Sequence, residues 1–132
     1  MQIELRSARP DEAEHLSEIA RLAKAHWGGQ IDRWREAFLT VARDYIAAHW
    51  VWVATDSSYR AIAFAALKRA AAGDVLEHLW VLPAYMRLGL GRRLFQRVAT
   101  ESPAFTFTSD PNAEDFYCRL GACIIGQVVS DY

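Results

Sequence analysis

A chain of 132 residues is the size of one compact domain and leaves no room for a second core. Its apolar share of 52% excludes a disordered chain, and a net charge of -1 gives no electrostatic drive towards nucleic acid or an anionic membrane. No apolar run approaches the roughly 18–20 residues of a membrane span. The charged opening MQIELRSARPDEAEHL lacks the apolar stretch of a signal peptide, so a cytoplasmic location is expected. Cys118 and Cys123 are too few for a disulfide framework and match no zinc spacing, and no metal is expected.

In chain order, residues 2–6 alternate Ile3 and Leu5 with Glu4 and Arg6, the pattern of a half-buried strand. Pro10 bars helix before it, and Asp11, Glu12 and Glu14 suit the positive end of a helix dipole. Leu16, Ile19, Ala20 and Ala23 then recur at helical spacing over residues 11–26, until Gly28 and Gly29 stop the helix. A second helix is predicted over residues 31–49, with Trp34, Phe38, Val41, Tyr45 and Ala48 as its apolar stripe. From residue 50 the period changes to that of strands: 50–54, a polar turn, 60–67, another turn, and 75–82. The last of these is apolar almost throughout, which predicts a central strand buried on both faces. Pro83 ends it, and a Gly-containing loop leads to a helix over 91–101 with Leu94, Phe95 and Val98 facing inward. A short strand at 104–108, a helix from Asp110 to Leu120 stopped by Gly121, and a strand at 122–129 complete the chain. The order β-α-α-β-β-β-α-β-α-β predicts one mixed α/β domain over residues 1–132. Its middle strands form an antiparallel meander, and a right-handed crossover adds a parallel pair.

Ligands of such sheets favour the carboxyl end of the strand that feeds the crossover helix, which draws attention to residues 82–93. There the backbone enters a helix through Gly89-Leu90-Gly91, where missing side chains let a ligand approach. Free amides of the first helical turn, with Arg87, Arg92 and Arg93 nearby, make a cradle for a pyrophosphate. By itself a Gly-x-Gly reads more readily as a tight turn with solvated arginines. It is not the dinucleotide fingerprint, because Leu94 stands at the third glycine, nor a P-loop, since no Gly-Lys-Ser/Thr follows.

The segment resembles motif A of the GCN5-related N-acetyltransferase (GNAT) superfamily, Val-x-Pro-x-Tyr-Arg/Gln-x-x-Gly-x-Gly/Ala, through Val81, Pro83, Tyr85, Gly89 and Gly91. Met86 departs from the family's Arg or Gln, and Arg87 follows it directly. A second stretch, from Asn112 through Phe116, Tyr117, Leu120 and Gly121, resembles the family's motif B. The resemblance implies acetyl-CoA as cosubstrate, its pantetheine arm beside Trp80, Val81 and Leu82 as an added strand would lie. It further implies a pyrophosphate on the amides of Arg87, Leu88, Gly89, Leu90, Gly91 and Arg92, with Asn112 and Phe116 touching the carrier from the other side. Tyr117 would act as general acid to the departing thiolate, although a helical tyrosine packed in the core reads the same way in isolation. A backbone N–H of Trp80 or Val81 would serve the oxyanion. Glu77, expected on the face of Val75, Leu79 and Val81 with His78 pointing the other way, is the candidate base. A carboxylate reaching solvent, with ordered water as the base, is the competing account.

The implied acceptor is a primary amine on a small molecule or peptide, entering near the first two helices, where Trp27, Trp34, Trp50, Trp52 and Tyr45 supply aromatic stock. The family's usual last strand has no counterpart after residues 122–129, which leads us to expect a homodimer, by strand exchange in one version. A non-catalytic acyl-CoA-binding module of the same fold is the alternative function.

Overall fold

The computed structural model describes residues 3–26, 39–107 and 114–119. Strand β1 (Glu4–Ser7) leads through a 3-10 turn (Pro10–Glu12) into α1 (Ala13–His26). After α2 (Arg43–Ala48) come β2 (Trp50–Thr55), β3 (Ala61–Lys68) and β4 (Asp74–Val81). A second 3-10 turn (Pro83–Tyr85) precedes α3 (Leu90–Glu101), β5 (Phe105–Thr106) and α4 (Glu114–Arg119). The five strands form one sheet in the order β1-β2-β3-β4-β5, antiparallel up to β4 and parallel between β4 and β5. The meander and the parallel crossover pair are those that the sequence predicts, and the sheet has helices on both faces.

Two clusters of apolar side chains sandwich the sheet. On one face α1 and the segment around α2 bury Leu16, Ile19, Val41 and Ile46 against Val53, Phe64 and Ala66. On the other, Leu90, Leu94, Phe95 and Val98 of α3 pack on Ala63, Ala65, Leu67 and Leu76. The strand buried on both faces is β3, whose residues Ala61 to Leu67 are all buried, and not β4. Its apolar run is as continuous as that of β4, so burial was decided by strand order, which sets β3 between two long neighbours. By contrast, β4 pairs with β5 only at Asp74↔Phe105 and Val75↔Thr106. Beyond Val75 the outer flank of β4 has no strand partner among the described residues, and Leu79, Trp80 and Val81 are half-buried.

The second helix is not continuous. Helix α2 begins only at Arg43, and Ala42 before it is extended (φ -85°, ψ 159°). Val41, expected on the helical stripe, instead donates its amide to Ser17 Oγ at 2.8 Å, while the Ser17 hydroxyl bonds the Ala13 carbonyl at 2.8 Å. A tertiary bond from α1 thus replaces a helical one. A β-bulge interrupts β4: Ala66 pairs with His78 but the next residue, Leu67, pairs with Leu76, so Glu77 is the extra residue. Residues 27–38, including Trp27 and Trp34, and the expected last strand at 122–129 lie outside the described residues, as does the dimer expectation built on that strand. Among the described residues no helix is long and apolar enough to cross a membrane.

Candidate active site

Where β4 ends, the Leu82 amide still bonds the Ile62 carbonyl at 2.9 Å, and the Pro83–Tyr85 turn carries the chain off the sheet. Two residues then take left-handed backbone, Arg87 at φ 70° and Gly89 at φ 79°. Gly89 is the N-cap of α3, and no side chain among the described residues caps that helix. The first amide bonded within the helix is that of Arg93, to the Gly89 carbonyl at 3.0 Å, so the amides of Leu90, Gly91 and Arg92 precede the ladder. Arg87, Leu88 and Arg92 are exposed around this opening, and Leu90 is buried beneath it. Arg93 is turned away, its guanidinium donating to the Ile3 carbonyl at 3.3 Å.

The two glycines serve different needs. A Cβ on Gly89 would meet no atom within 4 Å, so it is the positive φ that calls for glycine there. At Gly91 a Cβ would stand 3.2 Å from Phe116 Cζ and 3.8 Å from Val81 Cγ2, so that glycine makes room for α4. The contact lays Phe116, itself exposed, across the opening of α3. Tyr117, next to it, turns inward. Its ring packs at 4.5 Å from Phe107 and 5.8 Å from Phe95, in the same apolar cluster as Leu79, Val81 and Leu82. Burial alone pushes its phenol up to about 12, and its hydroxyl finds no hydrogen bond among the described residues. Asn112 lies outside the described residues.

The profile of the acetyltransferase (GNAT) domain family matches residues 47–121, more than half of the chain and the part that holds this opening. The chain belongs to the GNAT family. Solved structures share the GNAT fold along its length. The PaiA N-acetyltransferase of Thermoplasma acidophilum, in complex with coenzyme A, is 19% identical over 90% of this chain and 88% of its own, with a TM-score of 0.74. A GCN5-related N-acetyltransferase of Ralstonia eutropha JMP134 is 14% identical over 99% of each chain, with a TM-score of 0.77. The aminoglycoside 6'-N-acetyltransferase AAC(6')-Ih of Acinetobacter baumannii is 17% identical over 99% of this chain and 97% of its own, with a TM-score of 0.69. At such identities the likeness speaks for the fold. No curated protein sequence matches the chain.

On the opposite face of this GNAT sheet the bulge changes the expected alternation. Simple alternation sets Glu77 with Leu79 and Val81, against His78. In the structure Leu79 and Val81 pack with α3, whereas Glu77 accepts a 2.6 Å hydrogen bond from the Tyr45 hydroxyl on α2. His78 is on the Tyr45 side as well, its ring 5.9 Å from Tyr45 and 5.8 Å from Phe64. The two consecutive residues share a face because a bulge sets two residues opposite one. Trp80 Nε1 donates to His78 Nδ1 at 3.0 Å, and burial pulls the imidazole down to about 4, against the pull of the Glu77 charge, so His78 is a neutral acceptor. Of the aromatic stock, Trp52 is buried under α3 and Trp50 is exposed beneath the Arg69 guanidinium, 4.3 Å from its ring centre, so neither joins Glu77. Tyr45 does. The sequence sets it both in the apolar stripe and in the aromatic stock near the acceptor, but a partner 32 residues away on a bulged strand leaves no trace in a local pattern.

Proposed function

We propose that the chain is an N-acetyltransferase that moves an acetyl group from acetyl-CoA to a primary amine in a ternary complex, with residues 1–132 acting as one domain. The seating of Phe116 on Gly91 carries this reading. It holds α4 against a helix start that no side chain caps among the described residues, and it brings to the apolar cluster at the end of β4 a phenol without a hydrogen bond among them.

The residues present fit a carrier with a diphosphate and a thioester. Amides of Leu90, Gly91 and Arg92, with the backbone of Arg87, Leu88 and Gly89, would take the diphosphate, helped by the exposed Arg87 and Arg92 side chains. On the open flank of β4 the backbone of Val81 turns away from β3, to which Leu82 is bonded and Trp80 turned, and it would take the amides of the arm, with Phe116 alongside. When bound, the carrier supplies an activated acyl carbon and a thiol as leaving group.

A primary amine attacks only when neutral, and its ordinary pKa is about 10.4, so a base must take its proton. Glu77 supplies that base on this reading. Tyr117, up at about 12, is protonated at neutral pH and presents a donor to the departing sulfur. A free thiol ionises near about 8.5, below that phenol, but the same dry surroundings raise a thiolate's basicity as well. The Tyr117 phenol regains its proton from the amine's second N–H, and one proton leaves to solvent by way of Glu77. The backbone N–H of Val81, on the open flank, would serve the carbonyl oxygen as it gains charge, since that of Trp80 is turned towards β3.

The test is thiol release from acetyl-CoA across a panel of small-molecule and peptide amines, run beside calorimetric titration with acetyl-CoA. Binding together with turnover on at least one amine is expected. Binding with no turnover on any of them would make the chain an acyl-CoA-binding module, and no binding at all would end the reading.

A further inference from the structure

The bond between Tyr45 and Glu77 joins α2 to the interior of the sheet, and the chemistry above leaves it unexplained. Tyr45 is half-buried, and its ring meets those of two histidines edge-on, His49 at 4.5 Å and His78 at 5.9 Å. Its phenol is held above the ordinary tyrosine range, first by burial and then by the carboxylate, so the hydroxyl keeps its proton and the bond runs in one direction. Only Oε1 of Glu77 is engaged: Oε2 takes no hydrogen bond among the described residues. Glu77 also lines a cavity of about 520 Å³ between the turn after β3 and the start of β5, with Gly73, Val75, Phe105 and Thr106. The other acid on that cavity, Asp74, is already occupied by Arg69 at 3.3 Å and the Ser102 hydroxyl at 2.5 Å. Lys68, exposed on the same cavity, makes no ion pair with Glu77 among the described residues. Both contacts of Asp74 fall on Oδ2, but one of them is a cation, whereas Glu77 has no cationic partner among the described residues.

We propose that Tyr45 is a positioning residue of the acceptor site: by tying Oε1 it orients Glu77 so that Oε2 meets the incoming ammonium. The inference rests on the reading of Glu77 as the proton acceptor. A bond whose only role is to latch α2 onto the sheet would hold the same geometry but respond differently to substitution.

The experiment compares Tyr45→Phe, Glu77→Gln and the double variant with the parent chain. Tyr45→Phe should lower kcat for the amine by about 10- to 100-fold, the worth of one hydrogen bond to a charged group. Its affinity for acetyl-CoA, read by calorimetry, should not change, and it should cause no further loss in the Glu77→Gln background. In the protein free of coenzyme A, the substitution should also move the ¹³C resonance of the Glu77 carboxyl. Glu77→Asp, which withdraws the carboxylate with Tyr45 intact, should lose kcat to a similar degree.

Loss of acetyl-CoA affinity in step with kcat, or the same loss in both backgrounds, would reduce Tyr45 to a latch and overturn the proposal. An unmoved Glu77 resonance would overturn it too. Full activity in Glu77→Gln would instead remove Glu77 as the base, a failure of the underlying reading that the other measurements keep separate.

Discussion

At the entry to α1 the Glu12 carboxylate accepts the Arg9 amide at 2.9 Å and two guanidinium nitrogens of Arg6 at 2.7 and 2.9 Å, and Arg6 also reaches the Tyr59 carbonyl at 3.2 Å. At the entry to α3 no side chain among the described residues caps the amides, and the turn is made with left-handed residues at Arg87 and Gly89. Both starts face the same deficit, since the first turn of any helix carries donors without intrahelical partners. The first start meets it from within the chain and ties β1, the turn before α1 and the β2–β3 loop together. The second leaves its donors to whatever approaches from outside, and it adds the strain of a non-glycine residue at positive φ, of order 1 kcal/mol or more. On the proposed reading one start serves stability and the other a ligand, and substitutions should separate the two.

The largest effect should fall at the open start, on its chemistry and not its folding. Tyr117→Phe keeps the ring that packs on Phe107 and Phe95 and removes only a hydroxyl with no bond among the described residues. We expect kcat to fall by about 100-fold or more, the usual worth of a positioned proton donor, with acetyl-CoA affinity and melting temperature unchanged. Steady-state kinetics beside calorimetry decides this, because equal loss in both would return Tyr117 to packing.

The closed start should show the reverse. Glu12→Ala removes a charged hydrogen-bond network that is almost buried on the glutamate side and should cost about 2–4 kcal/mol in urea unfolding, with acetyl-CoA affinity in the folded protein preserved. Burial opposes ionisation of Glu12, but the Arg6 hydrogen bond, the Arg9 amide and both arginine charges outweigh it and hold the carboxyl below its ordinary 4.5. The folded state therefore binds fewer protons than the unfolded one as the pH falls past that value. The stabilisation is complete above about 4.5 and drains away as the pH drops through the lower folded value. Unfolding curves across that window should lose part of their pH slope in the variant. An unaltered slope would mean that the network adds nothing.

How much of this was readable beforehand follows from range. Strands β1 to β5, α1, α3 and the open glycine turn are carried by residues a few positions apart, and composition or spacing reveals them, whereas the stretch that holds Tyr117 is legible through its resemblance to a family motif. The break at residues 40–42 is invisible in that way, because Val41 leaves the helix for a bond to Ser17 on another element. The sides of Glu77 and His78 were equally hidden: alternation predicts opposite faces, and only the pairing of β4 with β3 places the extra residue. The strand buried on both faces was misjudged for a related reason, since the apolar runs of β3 and β4 look alike until the short β5 leaves one flank bare. What depends on partners distant in sequence is lost to such a reading, and the bond between Tyr45 and Glu77 is of that kind.

Smaller effects sharpen the comparison at the glycines of the open start. Gly89→Val meets no steric obstacle at its Cβ, so its penalty is the left-handed backbone, about 1–2 kcal/mol and more for a β-branched residue. Acetyl-CoA affinity should fall by roughly tenfold or more as the turn rearranges, while Gly89→Asn, which tolerates that backbone, should keep most of it. Equal losses in the two variants would point to a need for bare space at residue 89 and against strain.

Gly91→Ala should be the mildest. Alanine in place of a helical glycine gains up to about 1 kcal/mol of propensity, but its Cβ would stand 3.2 Å from Phe116 Cζ, and that ring must yield by a few tenths of an ångström. Gain and loss nearly cancel, so the melting temperature should hardly move. Tyr117 rides on the same turn as Phe116, however, and a proton donor displaced by a fraction of an ångström loses rate out of proportion to any loss of stability. A drop in kcat of roughly threefold to tenfold at constant melting temperature is expected, and in Tyr117→Phe the same substitution should have almost no further effect on kcat. Were Gly91→Ala to lower kcat equally with and without the phenol, the ring at 116 would be shielding the helix mouth and not steering its neighbour.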